Sequence, residues 1–96
     1  MLEKLLNDRL ESMNNLENKL KSDKRKLNRY KKSEESFIVK KATEYENLIN
    51  EVIDFMKIYE SKLIKFLNEK ELTMEKYNEK LLRYDNKFFE VLKMIS

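Results

Sequence analysis

The amino-acid sequence predicts an all-α protein, a slender antiparallel bundle of three helices with coiled-coil-like seams. Three observations carry this. The 96 residues include no Gly and no Pro, so the chain lacks the residues that turn strands and cradle phosphates most easily and that suit a helix interior worst. Apolar residues recur at alternating four- and three-residue steps, which holds them on one stripe of a helix. No comparable stretch alternates apolar with polar, as a half-buried strand does. Charged and apolar residues each make up 41% of the chain. That is too apolar for a solvated tail and enough for one long, thin core without a deep pocket. A single domain over 1–96 is expected.

The first helix is expected over 2–32. Its stripe is narrow: Leu2, Leu6, Arg9, Met13, Leu16, Leu20, Asp23, Leu27 and Tyr30. The register then slips at Lys32-Ser33-Glu34-Glu35-Ser36, where a Ser ahead of acidic residues makes a helix start. A second helix over 34–68 carries Ile38, Ala42, Tyr45, Ile49, Val52, Met56, Tyr59, Leu63 and Phe66 without a polar interruption. Phe37, Leu48, Ile53, Phe55, Ile64 and Leu67 widen this stripe to about half the circumference at 100° per residue. Covering such an arc takes two neighbours, or one neighbour and an external partner.

A second slip falls at residues 68–73, where Asn68 and Glu71 have capping-box spacing and Thr73 is another candidate cap. The third helix, over 72–95, carries Met74, Tyr77, Leu81, Tyr84, Phe88, Val91 and Ile95 and ends apolar nearly all round. The first two helices should each be roughly 45–50 Å long, and short connections make neighbours antiparallel. The alternative is a long helical hairpin that turns once, with the slip near Ser33 or Thr73 only a register shift inside a longer helix.

Composition argues against catalysis. With no His and no Cys the usual nucleophiles and proton shuttles are missing. A phosphate loop needs Gly, and paired catalytic carboxylates need a shaped cleft that a thin bundle lacks. A non-enzyme without cofactor or metal site is expected. The amino-terminal residues lack the apolar run of a signal peptide, and no segment is apolar enough to span a bilayer, so a cytoplasmic protein is expected.

Three sets of residues stand out as candidate sites. Residues 19–32 carry a net charge of +7 against +3 for the whole chain. Within them Lys21, Arg25, Arg29 and Lys32 form a ridge opposite the apolar stripe that would suit phosphates. No aromatic residue is expected on the exposed side there, and residues 33–60, at net −4, offer an acidic neighbour instead. Arg9 and Asp23 occupy seam positions, either as polar groups facing a partner or as devices that fix register inside the bundle, with snorkelling a further option for Arg9. Finally, the wide second stripe and the apolar end of the third helix single out Phe55, Ile58, Leu67, Phe88, Phe89 and Leu92 as a helix–helix interface with another protein. Alone, such a chain should self-associate. The five Tyr residues all fall on the stripes and are expected in the core.

Residues 27–96 resemble the small helical companion proteins of LXG-domain toxins in the type VII secretion systems of Gram-positive bacteria. The resemblance rests on Tyr30, Glu34, Glu35 and Phe37, on Leu48-Ile49 and Val52-Ile53-Asp54-Phe55, and on the Lys/Glu-rich stretch from Glu69 to Tyr84. The chain departs from the related small secreted proteins in having no Trp-x-Gly turn. It also has no carboxy-terminal Tyr-x-x-x-Asp/Glu signal, since Leu81 and Phe88 follow Tyr77 and Tyr84 at that spacing. Only Tyr30 and Glu34 match it, in mid-chain. The resemblance therefore implies a cytoplasmic targeting chaperone or adaptor that packs on the helical amino-terminal domain of a larger toxin. The alternatives are a basic nucleic-acid-associated or phage accessory protein and a structural subunit of a larger coiled-coil assembly.

Overall fold

Leu2–Lys31 form the helix α1 and Ser36–Leu67 the helix α2 in a computed structural model that describes residues 2–95. Two further helices, α3 (Met74–Lys80) and α4 (Leu82–Ile95), make one interrupted third rod. Met1, Ser96 and the side chain of Ile95, the last expected seam position, lie outside the described residues. The chain is all-α, and no strand occurs among the described residues. The bundle measures 57 × 19 × 19 Å.

The hairpin of α1 and α2 is set by a repeat of seven. Leu6, Met13 and Leu20 of α1 and Ile49, Met56 and Leu63 of α2 are all essentially inaccessible to water. Antiparallel packing about the 32–35 connection sets Leu20 level with Ile49, Met13 with Met56 and Leu6 with Leu63. Burying each such side chain contributes on the order of 1.5–3 kcal/mol. The third rod folds back along the hairpin and closes the core with Tyr77, Leu81, Phe88 and Val91. Tyr59 is the hub of this contact. Its ring centroid lies 6.0 Å from Phe88, edge-on, and 6.1 Å from Tyr84, stacked.

The expected bounds shrink by one to two residues at most ends, and the slip near Ser33 is a turn. The absence of Gly does not prevent it, because no residue of the turn has positive φ. Ser33 N–H donates to Tyr30 O at 3.1 Å, and the Ser33 hydroxyl accepts from Glu35 N–H at 3.2 Å. Ser33 therefore serves the turn, while the residue flanking α2 is Glu35, whose side chain caps nothing. At the second turn Asn68 closes α2 rather than opening α3. Thr73 is the cap, its hydroxyl accepting from Lys76 N–H at 3.2 Å. Two ion pairs brace this loop, Lys76 to Glu71 at 3.0 Å and Lys80 to Glu69 at 2.7 Å. Thr73→Ala should cost about 1 kcal/mol in chemical denaturation, whereas Glu35→Ser should leave stability unchanged or raise it by a few tenths.

The third helix, expected continuous over 72–95, is interrupted at Leu81, where φ is −122° and ψ −13°. The hydrogen-bond ladder still runs through it, from Leu81 N–H to Tyr77 O at 2.8 Å and from Asp85 N–H to Leu81 O at 2.9 Å. Beyond the interruption Asp85 is buried and Tyr84 only half so. The third rod is shorter than the hairpin. Buried residues of α1 stop at Leu20, and those of α2, Ala42 apart, start at Ile49. Above that level the molecule is two helices thick.

Candidate interaction surfaces

Arg9, expected as a polar intruder in the first seam, meets Asp85 of α4. Its Nε lies 2.8 Å from Asp85 Oδ1, with both side chains largely covered. The Nε–H is not aligned for a hydrogen bond, and Nη2 donates to Oδ2 only at 3.4 Å. The contact is thus a side-on ion pair rather than a bidentate fork. Tyr59 of α2 completes it, its hydroxyl donating to Asp85 Oδ1 at 2.7 Å. Burial, and then this bond to Asp85, raise the Tyr59 phenol well above its ordinary range, so it remains a donor. The Arg9 guanidinium also lies 4.5 Å from the Phe89 ring centroid. One carboxylate therefore ties together all three rods of the bundle. The register role weighed for Arg9 is the one its geometry fits. Asp23, the other polar seam residue, is half-exposed and has no ion pair among the described residues.

Between α1 and α2 sits a second polar site that the sequence did not single out. Glu17 is 9% exposed, and the Oε1 atom of Glu60 is buried without a partner. Burial raises the Glu60 pKa above its ordinary 4.5, and the charge of Glu17 raises it further, against the lowering effects of Lys21 and Lys57. A carboxyl whose folded pKa is raised binds more protons folded than unfolded. Its charge therefore costs stability at neutrality, and the cost is relieved as pH falls towards 4.5. Below that, Glu46 and Glu71, held low by hydrogen bonds from Lys31 and Lys76, lose stabilising charge. Glu60→Gln should raise Tm at pH 7 and abolish the gain that the native chain shows between pH 7 and 5, as read by thermal unfolding.

The six residues expected at a partner interface divide three ways. Phe55 and Phe88 are buried by the chain's own side chains, Phe88 completely. Leu67 and Leu92 are half-buried against the same core. Ile58 and Phe89 remain exposed, on different helices, with Phe89 covered on one face by Arg9. The structure does not bring these six together as one surface patch.

The cationic ridge of Lys21, Arg25, Arg29 and Lys32 is exposed, and none of the four has an ion pair among the described residues. The acidic stretch of α2 engages different members of the cluster. Lys31 pairs with Glu46 at 2.8 Å, and Lys24 donates to Asn50 Oδ1 at 2.7 Å. Tyr30, expected in the seam, is 53% exposed and stands beside Arg25, Lys26 and Arg29. Tyr45, likewise expected in the core, is also exposed. Both lie at the turn end of the hairpin, where among the described residues only α1 and α2 pack together.

An open apolar groove of about 430 Å³ lies at this end, lined by Leu27, Tyr30, Phe37, Ile38, Lys41, Ala42 and Tyr45. Phe37, at 68% exposure, is the most exposed large apolar side chain of the described residues. No set of side chains suited to a metal ion occurs among the described residues, and no helix is long and apolar enough to cross a membrane. No protein-family model matches the chain, and no curated protein or solved structure matches it either.

Proposed function

We propose that this protein is a non-enzymatic helical interaction module, a targeting chaperone or adaptor that packs on a helical domain of a larger protein. The supporting observation is the exposed apolar surface at the turn end of the hairpin. A two-helix end with exposed Phe37, Tyr30 and Tyr45 has apolar surface to bury and a furrow that fits a helix. The resemblance to companions of LXG toxins gives the specific form of this reading, a cytoplasmic partner for the helical amino-terminal domain of such a toxin.

Co-expression of the full chain with an LXG domain encoded beside it, followed by size-exclusion chromatography with light scattering, tests that form. A stable complex of defined stoichiometry is the expected result. Two species that elute separately at micromolar concentration would remove the toxin partner from the proposal. The exposed, unpaired ridge of Lys21, Arg25, Arg29 and Lys32 supports a second reading, contact with nucleic acid. It requires duplex or single-strand affinity that falls steeply with salt and disappears when the four are changed together to Glu.

A further inference from the structure

The groove repeats the seat that α4 already occupies. On a helix of 3.6 residues per turn, positions eighteen apart point in the same direction, about five turns removed. Phe37 stands eighteen residues from Phe55, Ile38 from Met56, and Leu27 from Arg9. In each pair the second residue belongs to the core or touches α4: Met56 is fully buried, Phe55 lies 6.5 Å from Tyr84 between ring centroids, and Arg9 holds Asp85. The furrow that receives the third rod therefore continues past it along Leu27, Phe37 and Ile38.

Its charge decides what kind of helix fits. Residues 19–46, which form this end, carry a net charge of +5. On the rim, Lys26 neighbours Tyr30 in sequence register, and Lys41 Nζ lies 5.7 Å from the Phe37 ring centroid. The acidic groups of this end are Asp23, Glu34, Glu35, Glu44 and Glu46; Glu46 is taken up by Lys31 at 2.8 Å, and Glu44 pairs with Lys41 only loosely, at 3.7 Å. A second copy presenting the same end would bring +5 against +5, which opposes association.

Resting on the interaction reading above, we propose that the groove between Leu27–Tyr30 and Phe37–Tyr45 receives an amphipathic helix of another protein, with a bulky apolar stripe and acidic flanks, laid end to end with α4. The occupant covers about three turns, since the open stretch of α2 spans roughly 15 Å at 1.5 Å per residue. Its stripe resembles that of α4, with aromatic and branched residues at four- and three-residue spacing. Its flanking carboxylates meet Lys26, Lys41 and the ridge behind them, which speeds encounter and sets the preference among apolar helices.

The test uses the full chain and two synthetic helical peptides with the α4 stripe, one with Glu flanks and one with Lys flanks. Fluorescence anisotropy should show the Glu-flanked peptide binding at least tenfold more tightly, with NMR shifts confined to Leu27, Tyr30, Phe37 and Tyr45. Phe37→Asp with Tyr45→Asp, both at exposed positions and so compatible with folding, should abolish binding. Lys26→Glu with Lys41→Glu should invert the peptide preference. Equal affinity for the two peptides, or shifts centred on Tyr59 and Phe88, would overturn the proposal. So would a dimer of the chain that Phe37→Asp dissolves, or nucleic acid that the peptide displaces. If a co-purified partner domain stays bound to the Phe37→Asp, Tyr45→Asp variant, the groove assignment fails while the interaction reading stands.

Discussion

Asp85→Ala should destabilise the purified chain by on the order of 3 kcal/mol, read as the loss of midpoint in urea at unchanged slope. Asp85 is 8% exposed and accepts from Tyr59 while pairing with Arg9. Removing it leaves a largely covered guanidinium without its counter-charge and a buried hydroxyl without an acceptor. Each is costly where water cannot replace the lost partner. Asp85→Asn, which keeps an acceptor for Tyr59 but not the charge, should lie in between. Replacing all three together, Arg9→Met, Tyr59→Phe and Asp85→Leu, should recover most of the loss, because an apolar contact of similar volume carries no desolvation cost. If Asp85→Ala costs less than about 1 kcal/mol, the pair behaves as a surface ion pair and the knot does not hold the third rod.

Phe88→Ala should cost about 3–5 kcal/mol in the same measurement. Phe88 is completely buried and lies edge-on to Tyr59, so truncation opens a cavity at the junction of the three rods. Phe89→Ala, one residue on, should cost much less, since Phe89 is 42% exposed and loses chiefly its contact with the Arg9 guanidinium. This pair of adjacent residues separates self-burial from partner binding. If Phe88→Ala left the isolated chain unharmed and instead abolished association, Phe88 would belong to an interface after all.

The sequence makes the helices legible because a seven-residue repeat is local information. Leu6, Met13 and Leu20 need no knowledge of the rest of the chain to be read as one face. Arg9 was legible as an exception but not its answer, since Asp85 lies 76 residues away and looks like a polar-face carboxylate when Tyr84 is taken as the seam residue. Glu17 and Glu60 were missed for the same reason: each sits on the edge of its stripe, and only the pairing of α1 with α2 brings the two edges together. Phe55 was singled out because the stripe of the second helix is too wide for one neighbour, and Phe88 because the third helix ends in bulky apolar residues. With α1 on one flank of α2 and α4 on the other, the wide arc is largely consumed inside the chain. The groove was not legible because it exists only once Leu27 and Tyr30 of α1 stand beside Phe37 and Tyr45 of α2.

The turn at residues 32–35 uses only backbone angles open to any L-residue, and the third rod is seated on Arg9 of α1 and on Phe55, Tyr59 and Phe66 of α2. Reach and anchorage are therefore separate properties of this chain. Seven residues added to α1 after Leu20 and seven to α2 before Ile49, both on the turn side, would preserve both seams and carry the basic tip about 10 Å further out, leaving the Arg9–Asp85–Tyr59 junction where it is. The molecule is built as a gauge, with its length set by the number of repeats in one half and its footing by the other.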